Sequence, residues 1–422
     1  MDSTQTQWSF SQKLNLYFIV YFVLLFILSL PSPNTFLPNT GVYLQPFFEV
    51  LSKWFGDNVL QIKQPYTHQL ISDSTGLYIH TFLLLLISAM LSLLWSILDK
   101  KQNHYPKFQY WFRVFISYYL AFQLFKYGFN KVFKLQFYLP EPNILYSNVG
   151  SLGRDILYWS VMGVSYSYTV FAGILELIPA FLLLFRRTRL LGALIAFAVL
   201  VNVVMINVSF DISVKILSSF LLLLSVLIIL PDAPNLYRFF ILQKQGITSK
   251  QYIPTCANKK RLLVYSVGKT LVIGLLLLDV FLPYFKTQNF NDDLVARPFL
   301  HGAYQVEIFA VNQDTIPPLL TKTNRWKRFF IHRDSYFIAE DMREEMWDFL
   351  LQLNTYSQKM TLKETSGQEL IFQYNYNPSD SLLILNGILQ NDTIHIEARQ
   401  INWQELPLLQ KQTNWTIDDY FR

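Results

Sequence analysis

The chain has 422 residues, of which 52% are hydrophobic, 17% aromatic and only 15% charged. This balance is too apolar for an ordinary soluble protein and predicts a membrane protein. The formal net charge of +6 divides unevenly, because residues 1–285 carry 22 Lys/Arg against 11 Asp/Glu while residues 286–422 carry 13 against 18. The basic residues fall in short loops between apolar runs, which argues against nucleic acid as a partner. The single cysteine, Cys256, excludes an internal disulfide and a thiol relay.

Seven apolar runs in the first 285 residues are long enough to cross a bilayer as helices. The expected spans are Leu14–Leu30, Leu77–Leu98, Phe108–Tyr127, Val161–Phe185, a fifth that ends near Val208, Ile212–Leu230 and Leu262–Phe281. Between the first two spans, residues 46–62 have apolar side chains at helical spacing, which predicts an amphipathic helix on the bilayer surface. Residues 128–160 are rich in aromatic and basic residues and are predicted to form a cap on the outer mouth of the bundle.

These runs define four segments of the chain. Residues 1–107 hold two spans and a long outer loop, residues 108–230 a four-helix core, residues 231–285 a basic inner loop and the last span, and residues 286–422 a β-rich soluble domain. If the N-terminus is cytoplasmic, the inner loops contain about twice as many Lys and Arg residues as the outer loops, as is usual for membrane proteins. We therefore expect a multi-pass protein of the inner (cell) membrane, in contact with lipid, with an extracytoplasmic C-terminal domain.

The C-terminal segment changes from helical to alternating periodicity. Seven stretches with turn signals between them predict antiparallel strands, namely residues 303–311, 326–334, 335–341, 359–365, 369–377, 381–389 and 393–400. A small β-sandwich or open barrel is expected, with a helix at Met342–Leu353. His301, His332 and His395 lack the spacing of metal ligands, so the sequence predicts no metal site.

Polar residues inside the apolar runs mark the candidate site. Glu176 is expected near mid-bilayer, about 16 Å along its helix, where a carboxylate costs roughly 2.5–3.5 kcal/mol and normally faces the bundle interior. Polar side chains of the third run fall on one helix face at offsets 0, 4, 7, 8 and 11, and these are Tyr119, Gln123, Lys126, Tyr127 and Asn130. Lys126 is the predicted partner of Glu176. Such a pair serves either to lock helices together or as a ligand or proton site, and the sequence leaves both interpretations open.

These residues carry a family resemblance. The run FAGILELIPAFLLLFRRTRLLGALIAFAVLVNVV, with its glutamate, leucine stretch and TR turn, resembles the second and third helices of DoxX-like membrane proteins, and KYGFNK resembles the end of that family's first helix. The resemblance covers residues 113–230. It implies a membrane subunit of a quinone-linked oxidoreductase, with the quinone head group near Glu176 and Lys126. Hydrogen bonds and stacking would then come from Tyr119, Gln123, Asn202 and Trp159.

The sequence contains no catalytic triad, phosphate loop or H-E-x-x-H motif, so it assigns no catalytic residue and does not decide whether the chain is an enzyme. Distant DoxX-like relatives also include cargo receptors and assembly chaperones. The second hypothesis is therefore a non-enzymatic scaffold whose segment 286–422 binds a protein partner. A transporter is a third hypothesis, but no inverted repeat supports it.

Overall fold

The structure is a computed structural model that describes residues 8–31, 34–99, 105–244, 258–364, 367, 369–389 and 392–410. Cys256 lies outside these residues. The chain groups into two compact units. The helical unit comprises residues 1–136 and 167–290, and the barrel unit comprises residues 137–166 and 291–422. Each has a hydrophobic core of its own.

Eleven helices occur in the described residues. They are α1 Phe10–Ser29, α2 Thr40–Asn58, α3 Thr75–Leu98, α4 Tyr105–Val132, α5 Pro142–Leu145, α6 Arg154–Val164, α7 Tyr166–Leu183, α8 Arg189–Ser209, α9 Lys215–Ile229, α10 Ala233–Phe240 and α11 Lys259–Thr287. Helices α5 and α6 belong to the barrel unit, and the others form the helical unit. The boundaries of several helices follow local signals: Ser9 caps α1 in a capping box with Gln12.

Six helices are long and apolar enough to cross a membrane. They are α1, α3, α7, α8, the stretch Lys215–Phe240 that contains α9 and α10, and the stretch Lys259–Leu294 that contains α11. These agree with six of the seven predicted spans. The remaining one, predicted at residues 108–127, forms α4, whose 28 residues extend about 42 Å at 1.5 Å per residue. Its basic and polar side chains make it less apolar than the others, so its crossing of the membrane stays a prediction.

Helix α4 nevertheless packs as a bundle helix, in close antiparallel contact with α7. A Cβ atom built on Gly173 would lie 2.7 Å from the carbonyl oxygen of Gly128, so the two backbones approach only because both residues are glycine. The rings of Phe125 and Phe181 meet edge to face at 4.7 Å between centroids. Small residues at such crossings are typical of helices that associate in membranes.

The amphipathic helix predicted at residues 46–62 is part of α2. Its buried side includes Phe48, and its opposite side exposes Tyr43, Phe47, Val50 and Trp54 at helical spacing. The prediction of a helix is confirmed. This exposed apolar stripe is the surface that an interfacial helix would place among lipid headgroups.

The β-rich domain is a closed barrel of eight antiparallel strands. The described residues of this domain contain nine strands, eight of which form the barrel: β1 Gly302–Val311, β2 Asp314–Thr315, β3 Trp326–Ile331, β4 Tyr336–Asp341, β5 Met346–Asn354, β6 Lys359–Lys363, β7 Glu369–Asn377, β8 Leu382–Leu389 and β9 Asp392–Ile401. β1 pairs with β3, each later strand pairs with the next, and β9 pairs back onto β1. The two-residue β2 adds to the end of β1 and is outside the ring. The predicted antiparallel strands are thus confirmed, and closure leaves no long free edge.

Aromatic side chains fill the inside of the barrel. Tyr304, Phe329 and Phe337 are fully buried and stack in series, with ring centroids 4.9 Å and 4.8 Å apart. They point inward because alternate residues of a strand face opposite sides of the sheet. Aliphatic side chains from the other strands complete one continuous core.

The helix predicted at Met342–Leu353 is wrong, because this stretch forms a turn followed by β5. Phe349 and Leu351 are buried in the barrel, whereas Leu350 between them is exposed. Pairing with β4 on one side and β6 on the other overrides the helix propensity of the Met-Arg-Glu-Glu sequence. Without β5 the ring could not close.

Residues 137–166 pack on the outside of the barrel. Leu139, Leu145 and Tyr146 join a hydrophobic cluster with Phe330 and Ile338. The segment predicted as a cap, residues 128–160, is therefore split between the two units. Its first residues form the end of α4 in the helical unit, and most of it belongs to the barrel unit.

Candidate ligand site in the helical unit

The polar face of α4 opens onto a cavity of about 370 Å³. All five residues that the sequence placed on that face line it, namely Tyr119, Gln123, Lys126, Tyr127 and Asn130. The other walls come from α1, α3, α9 and α11, from the segments that follow α1 and α4, and from the loops that precede α3 and α9. A concave, mostly apolar space with a few convergent polar groups is typical of small-molecule sites, and its volume lies within their usual range.

The cavity lies at one end of the helical unit. Pro31 follows α1, Asp73 precedes α3, and Val214 precedes α9, and all three residues line the cavity. Its remaining lining on α4 and α11 comes from the C-terminal halves of these helices.

The polar groups of the cavity are held in place by hydrogen bonds. Lys126 donates from Nζ to Asn34 Oδ1 at 2.8 Å, and its ammonium group lies 4.6 Å from the ring centroid of Phe122. The hydroxyl of Tyr284 donates to Asn130 Oδ1 at 2.6 Å. Fixed rotamers of this kind reduce the entropic cost of binding a ligand.

Two carboxylates line the same cavity. Asp73 accepts the backbone N–H groups of Lys215 at 2.7 Å and Ile216 at 3.1 Å, so it satisfies donors at the start of α9. Asp279 is 1% exposed, and its Oδ1 accepts three backbone N–H groups of the loop that follows α1. The cavity thus combines a fixed cation with fixed anions.

Glu176 is buried, as expected, but its predicted pairing with Lys126 is wrong. Its two carboxylate oxygens accept from Lys131 Nζ at 2.9 Å and 2.8 Å, and both side chains are at least 90% buried. Helix α4 turns Gly128 and Lys131, which are three residues apart, toward α7, whereas Lys126 lies on another side. Glu176 does not line the cavity.

Two further predicted site residues lie elsewhere. Asn202 is exposed on α8 and is absent from the cavity wall. Asn207, five residues later, is buried instead and donates to Ser218 Oγ at 3.0 Å, which joins α8 to α9. Trp159 lies on α6 in the barrel unit, where its ring packs against Phe137 with centroids 4.8 Å apart. Of the six predicted site residues, the cavity brings together Tyr119, Gln123 and Lys126.

The sequence analysis did not single out Asp279, although it lies within the last predicted span. The signal was available, because a carboxylate within a long apolar helix is rare and normally faces the bundle interior. The loop that holds it, residues 34–37, follows the first span and carries no motif of its own.

A second cluster of charges lies in the barrel unit. Glu141 is 3% exposed, and its two oxygens accept from Arg333 Nε at 2.5 Å and pair with His301 Nε2 at 2.7 Å. Arg333 also donates to Asp292 at 2.5 Å. Burial raises the pKa of Glu141, but the His301 hydrogen bond and the Arg333 charge outweigh it and hold this pKa at about 2. This network fastens residues 137–166 to the barrel.

No group of three or more His, Cys, Asp or Glu side chains is placed to hold a metal ion within the part of the chain that the structure describes.

Six candidate spans with a buried ion pair, an internal polar cavity and a separate closed barrel define a multi-pass membrane protein with a C-terminal β-barrel domain. A stretch of 141 residues, which is 33% of this chain, aligns with 85% of the length of "Uncharacterized protein YwoB" from Bacillus subtilis (strain 168). The two sequences are 36% identical over this stretch. Through this shared third, the chain belongs to the same family as YwoB, whose description assigns no function. No protein-family model matches the chain. No solved structure matches it either.

Proposed function

We propose that the helical unit binds a quinone-class amphiphile in the cavity and that the protein serves as a membrane subunit of a quinone-linked oxidoreductase system. The observation that carries this proposal is the convergence of the α4 polar face on one cavity at the end of the helices. The DoxX-like resemblance of residues 113–230 supplies the ligand class. The proposed pocket differs from the predicted one, because it contains Lys126 but not Glu176.

The chemistry of the walls supports this ligand class. Lys126 and Gln123 carry N–H donors that suit the carbonyl oxygens of a quinone ring. Phe26, Leu77 and Leu217 offer apolar surface to the ring and the first part of its tail. Because the cavity lies at the ends of the helices, the tail could pass into the surrounding lipid while the head group stays enclosed.

The first test is to extract and quantify quinone from the full-length protein, purified in mild detergent, by chromatography and mass spectrometry. We expect a quinone to co-purify with the wild-type chain in near-stoichiometric amount. After delipidation, a short-chain benzoquinone should quench intrinsic fluorescence saturably. A wild-type protein that neither carries nor binds a quinone would overturn the proposal.

Variants separate binding from folding. Lys126→Met removes a charged hydrogen-bond donor worth about 1.5–3 kcal/mol, so we expect the Kd to rise about 10- to 100-fold. Lys269→Met is the matched control, because it removes a lysine of α11 that stacks on Phe185 and does not line the cavity. Equal quinone affinity in the wild type and both variants would show that the cavity is not the site.

The alternative is a non-enzymatic scaffold, assembly factor or cargo receptor whose barrel binds a protein. It is favoured by one feature of the barrel surface: Ile371 and Ile388 are cross-strand neighbours, 43% and 64% exposed. Deleting the strands is a poor test, since residues 137–166 would lose Arg333 and His301. The double variant Ile371→Lys/Ile388→Lys in the full chain should instead abolish a co-purifying partner while the helical unit still binds quinone normally.

This proposal includes an orientation. With the N-terminus cytoplasmic and α4 crossing the membrane, the chain has seven spans and the barrel is extracytoplasmic. The cavity end of the helices is then the outer end, so the site would exchange ligand with the outer leaflet.

A further inference from the structure

Three basic side chains gather at the end of the helical unit opposite the cavity. Arg113 and Lys269 lie in the N-terminal halves of α4 and α11, and Arg189 is the first residue of α8. The positive charges of Arg113 and Lys269 both lie near that of Arg189 and repel it. The ammonium group of Lys269 lies 4.3 Å from the ring centroid of Phe185, at the turn that leads into α8. We call these three side chains the basic cluster.

The basic cluster has more positive than negative charge. Asp232 accepts from Arg113 at 2.5 Å, and both side chains are largely buried. Arg189 is 6% exposed, and its side chain hydrogen-bonds to the neutral side chain of Tyr110. Within the described part of the chain, neither Arg189 nor Lys269 forms an ion pair with a carboxylate. Like charges that are partly shielded from water repel strongly, so an anion beside them would stabilise this end of the helical unit.

The surroundings of Lys269 indicate where such an anion comes from. Lys269 lies ten residues after the first residue of α11, in a stretch whose neighbouring residues Val267, Leu271 and Val272 are apolar and exposed. Phe185, on which Lys269 stacks, is also exposed. Exposed apolar side chains on a membrane helix face acyl chains, and a lysine among them extends toward the head groups. The site therefore suits an anion that has acyl chains attached to it.

We propose that the basic cluster binds the phosphate group of an anionic phospholipid, whose acyl chains lie along α11 beside Val267 and Leu271. Lys269 is partly exposed and donates to a phosphate oxygen, in a charge-assisted hydrogen bond. Arg189 is too buried for a full contact and attracts the phosphate through its charge. Basic pockets between membrane helices bind lipid head groups in this way. This site is separate from the cavity and does not depend on the ligand proposed there.

Lipid titrations of the full-length protein, delipidated in mild detergent, test the proposal on the wild type. The probes are phosphatidylglycerol, phosphatidylcholine with the same acyl chains, and inorganic phosphate. We expect phosphatidylglycerol to raise the unfolding temperature saturably and to remain bound in native mass spectra, whereas the other two probes have little effect. An equal response to phosphatidylcholine would refute a role for the net charge. An equal response to inorganic phosphate would overturn the lipid and assign the cluster to a soluble anion.

A matched pair of variants separates the basic cluster from general attraction to basic residues. Lys269→Met removes the proposed donor, so we expect the Kd for phosphatidylglycerol to rise about tenfold or more. Lys260→Met makes the same substitution at an exposed position of the same helix and should leave this Kd close to the wild-type value. Equal weakening by both variants would overturn the inference, because the lipid would then respond to overall charge alone.

Two further variants show whether the effect is local. Lys269→Arg keeps the charge and the hydrogen-bond donors, so it should retain phosphatidylglycerol binding. If it binds as weakly as Lys269→Met, the loss reflects altered packing and the inference fails. Lys126→Met in the cavity should leave phosphatidylglycerol binding unchanged, while Lys269→Met should leave quinone binding unchanged. The lipid site and the proposed function can therefore fail independently of each other.

Discussion

The Glu176–Lys131 pair predicts a large and asymmetric mutational effect. Both side chains are at least 90% buried, and both carboxylate oxygens accept from the ammonium group. Lys131→Met leaves an uncompensated buried carboxylate, and Glu176→Gln leaves an uncompensated buried ammonium. Removing one partner of a buried pair costs about 3–5 kcal/mol. For a unit of this size the unfolding temperature should fall by on the order of 10 °C.

The double variant Lys131→Met/Glu176→Leu removes both charges. Its free energy of unfolding should lie within about 1 kcal/mol of the wild-type value, because well-packed apolar replacements of buried ion pairs are often neutral. The matched control is the exposed pair Lys53–Asp57, with side chains 51% and 39% exposed, whose loss should leave the unfolding temperature nearly unchanged. Thermal unfolding of the detergent-purified chain measures all three. Single variants as stable as this control would refute the reasoning.

Three further predictions concern other parts of the molecule. Glu141 has a pKa of about 2 in the folded barrel unit against an ordinary 4.5, so its contribution to stability is complete above about pH 5 and is lost as the pH falls toward 2. In Glu141→Gln, unfolding followed by tryptophan fluorescence should therefore depend less on pH between about 5 and 2. The same pH dependence as in the wild type would contradict this prediction. Gly173→Leu should push α4 away from α7 and lower the unfolding temperature. Gly268→Leu should leave the unfolding temperature unchanged, because a Cβ atom at Gly268 has no other atom within 4 Å in the described structure. Tyr356→Cys, at a fully exposed turn, should react with an impermeant maleimide in intact cells if the barrel is outside; labelling only after lysis would reverse the proposed orientation.

Periodicity predicted much of the helical unit because a bilayer demands long apolar helices. It also predicted the polar face of α4, since Tyr119, Gln123 and Lys126 share a side for any α-helix. It did not predict what that face meets. The choice between Lys126 and Lys131 as the partner of Glu176 depends on how α4 is rotated against α7, and that rotation is set by the contact of Gly128 with Gly173.

The barrel shows the same limit in β-structure. Alternation predicted most strands, including β7 and β9, because each of these two strands buries every second residue over much of its length. Closure depends on pairing between Ala303 and Ile401 at distant points of the chain, which no local pattern encodes. β5 was missed because Asp348 and Leu350, both outward-facing, do not give a clean polar alternation, so the helix propensity of the preceding residues dominated.

Two buried acids in apolar helices lead to opposite conclusions. Glu176 and Asp279 are 4% and 1% exposed, and by the cost of burying a carboxylate each is an equal candidate for a site. Hydrogen bonding separates them. Both oxygens of Glu176 are occupied by one lysine, so its charge is neutralised within the structure and its role is to join two helices. Asp279 has one oxygen that accepts three backbone N–H groups and another that is buried without a hydrogen-bond partner in the described residues. Glu176 therefore joins α4 to α7, whereas the carboxylate of Asp279 fixes residues 35–37 in place, and only Asp279 of these two acids lines the cavity.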